Sequence, residues 1–85
     1  MKSFTYTITD LQGIHARPAG LLVKEAKRFD ARISLEKGEK KGDAKKIFNV
    51  MTLGAKQGDL LTVVLEGPDE EAAAQAMEAF LHKHL

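Results

Sequence analysis

Leu60-Leu61-Thr62-Val63-Val64-Leu65-Glu66, closed by Gly67-Pro68-Asp69, is the stretch from which the fold can be read. It is the most apolar run in the chain, short, rich in β-branched residues and ended by a Gly-Pro pair, which predicts a central strand. Downstream, Asp69 stands where a helix N-cap belongs, and Ala73, Ala76, Met77, Phe80 and Leu81 recur at helical spacing as one buried stripe. Glu70 and Glu71 at the start of that helix and Lys83 near its end suit its dipole. Upstream, Phe4, Tyr6 and Ile8 alternate with Thr5, Thr7 and Thr9, the pattern of a strand with one buried face. Asp10 to Gly13 reads as a loop. Ala19, Leu22, Val23, Ala26 and Phe29 then predict a helix over Ala16 to Phe29. Ala31, Ile33 and Leu35 alternate again, and Lys37-Gly38-Glu39 predicts a hairpin turn into a short strand over Lys40 to Gly42. Ile47 to Leu53 reads as a short helix that Gly54 closes in the left-handed region. The order βαββαβα obliges strands from both ends of the chain to share one sheet, with helices over one face: an α+β open-faced sandwich.

The 85 residues (9.3 kDa) predict a single domain over 1–85 with a thin core, since a chain of this size buries only about 60–65% of its unfolded surface. Without cysteine there is no disulfide framework and no thiolate metal site. The stretch MKSFTYTITD has no apolar core of a signal peptide, and no apolar run approaches the about 20 residues of a membrane span, so the expectation is a cytoplasmic protein without membrane insertion. The net charge of +1 conceals an asymmetry. Residues 1–46 hold 11 Lys/Arg against 6 Asp/Glu, and residues 47–85 hold 2 against 6. A basic first half suits an acidic protein surface or a phosphate-bearing ligand.

The segment Gly13-Ile14-His15-Ala16-Arg17-Pro18-Ala19 carries the chemistry. A helix starts here without Ser, Thr, Asp or Asn as a cap; His15 takes the cap position, and Pro18 is tolerated only in the first turn. The amides of Ala16 and Arg17 are left as free donors beside an imidazole, at the positive end of the helix dipole, which is an anion site. Arg17 adds a planar guanidinium suited to phosphate oxygens. These parts describe a histidine that carries a phosphoryl group, with Ala16 and Arg17 as the phosphate-binding residues. On the residues alone the rival reading, a loop histidine beside an unrelated Arg and Pro, stays open.

On the same helix Arg17, Leu21, Lys24 and Arg28 fall in one sector, so Leu21 points away from the core among cations. Phe48 and Met51 on the short second helix cannot both enter a thin core together with Ile47 and Val50. Leu21, Phe48 and Met51 then form an apolar patch ringed by Lys24, Lys27, Lys45 and Lys46, a docking surface for an acidic partner. The alternative is that one or two of the three are buried.

With these residues in view, the sequence resembles the histidine-containing phosphocarrier family, HPr, of the bacterial phosphoenolpyruvate-dependent sugar phosphotransferase system. The likeness rests on Gly13 to Ala19, on Ala44-Lys45-Lys46-Ile47-Phe48-Asn49-Val50-Met51-Thr52-Leu53-Gly54, and on Gly58 with the apolar strand after it. The resemblance implies a four-stranded antiparallel sheet with three helices on one face. It implies that His15 accepts a phosphoryl group on Nδ1, as a pros-phosphohistidine, from enzyme I and passes it to sugar-specific IIA proteins or domains. Arg17 would hold the phosphoryl oxygens, Pro18 would set the helix start, and Leu21, Ile47, Phe48 and Met51 would meet partners, with Lys24 and Lys27, from the charge pattern, as partner-binding residues beside them. No cofactor or metal is implied, the molecule is expected to be a monomer, and it is a carrier rather than a stand-alone enzyme. Members controlled by a serine kinase carry Ser where this chain has Lys46, and Gly20 replaces the larger residue commoner at its position.

A paralogue with the same chemistry in a regulatory relay, outside sugar uptake, is the nearest alternative. A nucleic-acid-binding domain is disfavoured, because Phe4 and Tyr6 belong to the apolar face of a strand and no stacking platform remains. There is no P-loop, dinucleotide glycine pattern, carboxylate pair near His15 or metal triad, and His82 and His84, on different faces of the last turn, are expected to be solvated.

Overall fold

The computed structural model describes residues 1–85. Seven elements follow in the order β1 (Lys2–Thr7), α1 (Ala16–Ala26), β2 (Arg32–Lys37), β3 (Lys40–Asp43), α2 (Ile47–Thr52), β4 (Leu60–Glu66) and α3 (Glu70–His84). The strands form one antiparallel sheet in the order β1-β4-β2-β3, so β4 is hydrogen-bonded on both edges, as its apolar sequence demands. In register, Phe4, Val63, Leu35 and Gly42 stand side by side across all four strands on the face the helices cover. The next row, Thr5, Thr62, Glu36 and Lys41, lies on the open face. A slip of one residue would exchange the two faces, which is why the alternation holds the register. Gly42 has a steric reason to be small: a Cβ there would lie 2.9 Å from the Asn49 carbonyl oxygen of α2, which packs on β3.

Helix α3 lies over β1 and β4, and α1 packs between α3 and α2. The core comprises Ala19, Leu22, Val23 and Ala26 of α1, Ile33 and Leu35 of β2, Leu61, Val63 and Leu65 of β4, and Ala73, Met77 and Leu81 of α3. Phe4, Tyr6, Phe29 and Phe80 pack against this cluster while remaining partly exposed.

Several boundaries depart from expectation. Strand β1 begins at Lys2 and ends at Thr7, leaving Ile8 buried in the following loop. Helix α1 stops at Ala26 rather than Phe29. Beyond it the amides of Arg28 and Phe29 bond back only three residues, to Glu25 and Ala26, so the chain tightens and leaves the helix. The Lys45 ammonium binds the Phe29 carbonyl oxygen at 2.6 Å and fixes the turn.

Asp69 also does something other than cap α3: it occupies the cap position, yet its side chain makes no bond to its own helix. Its carboxylate instead accepts the amides of Asp30 and Ala31, both at 2.8 Å, joining the start of α3 to the start of β2. The amide of Asp30, and with it that of Ala31, holds the Asp69 carboxyl below its ordinary value of 3.8.

Gly20 sits inside α1, where a Cβ would meet only the Ile47 side chain, at 3.9 Å. Nothing steric requires glycine there, so it only lowers helix stability. Gly20→Ala is expected to stabilise the fold by about 0.5–1 kcal/mol in denaturant unfolding. The Asp69 carboxyl, depressed in the folded state, contributes stability that is complete above its unfolded value and lost as pH falls through the lower folded one. The melting temperature should therefore decline below about pH 4, and Asp69→Asn should flatten that decline. An unaltered acid slope in the Asp69→Asn protein would refute the assignment.

Candidate functional site

The site is built where the β1–α1 loop rests on the α2–β4 loop. Gly13 adopts φ +66, and a Cβ there would come within 2.3 Å of the Ala55 carbonyl oxygen and 2.7 Å of the Lys56 Cα. Only glycine permits both the backbone angle and the close approach. The amide of the next residue, Ile14, donates to that same Ala55 carbonyl at 3.0 Å, and the Ile14 side chain is buried. Ile8 exchanges backbone bonds with the supporting loop, donating to Asp59 (3.0 Å) and accepting from Gly58 (2.8 Å). The Asp59 carboxylate accepts the Lys56 amide at 2.8 Å and lies 3.4 Å from the Lys37 ammonium. The Lys56 amide and the Lys37 ammonium keep its carboxyl below the usual range. The loop before His15 is thus clamped rather than free.

His15 is the N-cap residue of α1, extended in backbone (φ −111, ψ −177), half-buried and without a side-chain cap bond. Its carbonyl accepts the Ala19 amide at 2.9 Å, closing the first turn. The amides of Ala16 and Arg17 have no acceptor, and Pro18, buried at the third helical position, has no amide to satisfy. His15, Arg17, Pro18 and Leu21 line one shallow depression of about 210 Å³ together with Asp10 and His84. The depression combines an imidazole, a guanidinium and the positive end of a helix, with room for an anion the size of a phosphoryl group.

Beside it the apolar residues are exposed as expected: Leu21 at 39%, Phe48 at 78% and Met51 at 40%. Ile47, which spacing put in the core with Val50 and the resemblance put on the docking surface, is 36% exposed and lies against Gly20, so the apolar surface runs from α1 onto α2. Val50 alone of the α2 side chains is buried. Lys24, Lys27 and Lys46 are exposed around the patch. Lys45 is not part of this rim; its ammonium turns inward to Phe29.

The sequence does not mark two members of the depression as site residues. Asp10 reads only as loop, and His84 as a solvated residue. His82 is exposed, with its ring edge-on to Tyr6 at 5.0 Å, whereas His84 is half-buried and stacks on Phe80, ring centres 4.5 Å apart. The i, i+4 spacing of Phe80 and His84 signals their contact, but nothing local places His84 beside a residue at the other end of the chain. No group of three His, Cys, Asp or Glu is arranged to hold a metal ion. No helix is long and apolar enough to cross a membrane.

The family described as "PTS HPr component phosphorylation site" matches residues 2–83. The phosphocarrier protein HPr of Mycoplasma pneumoniae is 42% identical over 85 residues, covering 99% of this chain and 97% of that protein. The HPr-like protein Crh of Halalkalibacterium halodurans is 45% identical over 71 residues, 84% of each chain. Among solved structures, the histidine-containing phosphocarrier protein of a mycoplasma superposes with a TM-score of 0.94 at 39% identity, over 96% of this chain and 93% of that one. HPr of Thermoanaerobacter tengcongensis does so with 0.93 at 41% identity, over 98% and 93%. The sheet order, the three helices on one face and the segment around His15 therefore have one explanation: the chain belongs to the HPr family, the phosphocarrier proteins of the phosphotransferase system.

Proposed function

We propose that this chain carries a phosphoryl group on Nδ1 of His15, taking it from enzyme I charged by phosphoenolpyruvate and handing it to sugar-specific IIA proteins. Family membership supports the carrier role, and the observation that carries the residue assignment is the pair of unpartnered amides, Ala16 and Arg17, beside His15 in the depression that Arg17 also lines. An uncharged ring nitrogen attacks phosphorus; the N–P bond forms as the donor's bond to phosphorus breaks, and the reverse step delivers the group to the acceptor. The free amides and the Arg17 guanidinium stabilise the charge on the three phosphoryl oxygens during both steps. Pro18 contributes by starting the helix where those amides face solvent.

Partners dock over Leu21, Ile47, Phe48 and Met51, and Lys24, Lys27 and Lys46 steer an acidic surface onto the patch. The carrier acts as a monomer in the cytoplasm and has no catalytic activity of its own. Lys46, the N-cap residue of α2, has no hydroxyl, so a serine kinase acting on this family has no acceptor there.

Incubation with phosphoenolpyruvate and enzyme I should add one acid-labile phosphate by intact mass. His15→Ala should take up none, and with a family serine kinase and ATP the wild-type chain should gain no acid-stable phosphate. Arg17→Ala should fold normally and transfer on the order of 100-fold more slowly. Equal labelling of the His15→Ala variant would overturn the assignment. Phe48→Glu should slow transfer from enzyme I on the order of tenfold with unchanged far-UV circular dichroism. Added salt should slow association of the wild-type chain, because exposed rim charges act through the encounter rate. A transfer rate indifferent to both changes would remove the docking surface from Leu21, Phe48 and Met51.

A further inference from the structure

We propose that His84, at the far end of the chain from His15, is a second phosphoryl-contacting residue that binds the transferred group in its imidazolium form. The inference rests on the carrier role of His15. The two histidines line the same depression, together with Arg17 and Asp10.

His84 is held in place from three directions. It belongs to the last turn of α3, and its ring lies on Phe80 at 4.5 Å. The next residue, Leu85, is buried, and its main-chain carboxylate oxygen accepts the Thr9 amide at 2.6 Å, the Asp10 amide at 2.9 Å and the Thr9 hydroxyl at 2.9 Å. These bonds fasten the end of α3 to the loop that leads into His15. The ring nitrogens of His84 take part in none of the protein's hydrogen bonds or ion pairs, so they are available to a ligand.

The charged groups around His84 come from each neighbouring element. Asp10 lines the depression with it from the β1–α1 loop, and His15 and Arg17 from the start of α1; Glu25 from further along α1 and Lys83 from its own helix line a second hollow with it, and the main-chain carboxylate of Leu85 follows it directly. A phosphoryl dianion on His15 adds two negative charges to the same depression, which favours the imidazolium form of a histidine lining it. Protonated His84 then donates an N–H to a phosphoryl oxygen and offsets the repulsion from Asp10. Linkage fixes the sign of the effect: the phosphorylated carrier is favoured as pH falls through the histidine range and loses that preference as pH rises.

The test uses the full chain labelled with nitrogen-15, converted by enzyme I and phosphoenolpyruvate and followed by imidazole NMR at about pH 6.5, near the ordinary histidine midpoint. On phosphorylation the His84 ring signals should move toward imidazolium positions, while those of His82, which packs on Tyr6 instead, should stay. A chain carrying one phosphate whose His84 signals do not move overturns the proposal and leaves the carrier role intact. Absence of the added mass overturns the carrier role, and this proposal with it. In parallel, the equilibrium for transfer from enzyme I should favour wild type over His84→Gln by about threefold more at pH 5.5 than at pH 8. Loss of the Phe80 contact alone would lower both pH points equally, so a pH-independent ratio also refutes the proposal.

Discussion

Strand β4 is hydrogen-bonded to β1 on one edge and to β2 on the other, and this double pairing is the constraint on which the remaining structure depends. Its buried residues Leu61, Val63 and Leu65 have no exposed surface, and each faces a partner from a different part of the chain. Because β1 comes first in sequence and β4 near the end, the sheet closes only when the two ends of the chain meet. The same meeting brings the end of α3 against the loop after β1, where a Leu85 main-chain carboxylate oxygen takes three donors from Thr9 and Asp10. Sheet closure therefore assembles the depression around His15 as a by-product of core formation.

The start of α1 is arranged the opposite way. Most helix starts satisfy their first amides with a Ser, Thr, Asp or Asn side chain, a contribution of about 0.5–2 kcal/mol. Here that stabilisation is forgone: His15 makes no cap bond, and Ala16 and Arg17 keep their donors free. The helix persists because Ala19, Leu22, Val23 and Ala26 are buried and because Gly13 and Ile14 lock the preceding loop onto Ala55. Packing supplies the rigidity that capping would have supplied, and it leaves the anion-binding end of the helix open. A similar division holds on α2, where Val50 anchors the helix and Ile47, Phe48 and Met51 stay at the surface.

Acidic residues join the elements rather than capping them. Asp69 occupies a cap position but bonds the amides of Asp30 and Ala31, and Asp59 bonds the Lys56 amide and pairs with Lys37. Lys45 likewise turns from the basic rim to the Phe29 carbonyl. For Asp69 the local pattern is right about the element boundary and wrong about the side chain's partner, and for Lys45 it is wrong about the direction the side chain takes. The partner lies on another element, and local spacing contains no record of it.

What the sequence by itself determined follows from periodicity and local chemistry. Alternation identified β1 and β2, the apolar run β4, helical spacing the buried stripes of α1 and α3, and the lack of a cap before Arg17-Pro18 the open helix end at His15. The exposure of Leu21, Phe48 and Met51 was legible too, because a thin sandwich has one apolar face per helix and these residues fall outside it. Only the tertiary structure decided where α1 ends and which carboxylates and lysines are tied across elements. It alone placed Asp10 and His84 beside His15. The physical reason is that periodicity assigns a residue to a face of its own element, whereas the neighbours of that face are chosen by how β1, β4 and α3 pack together.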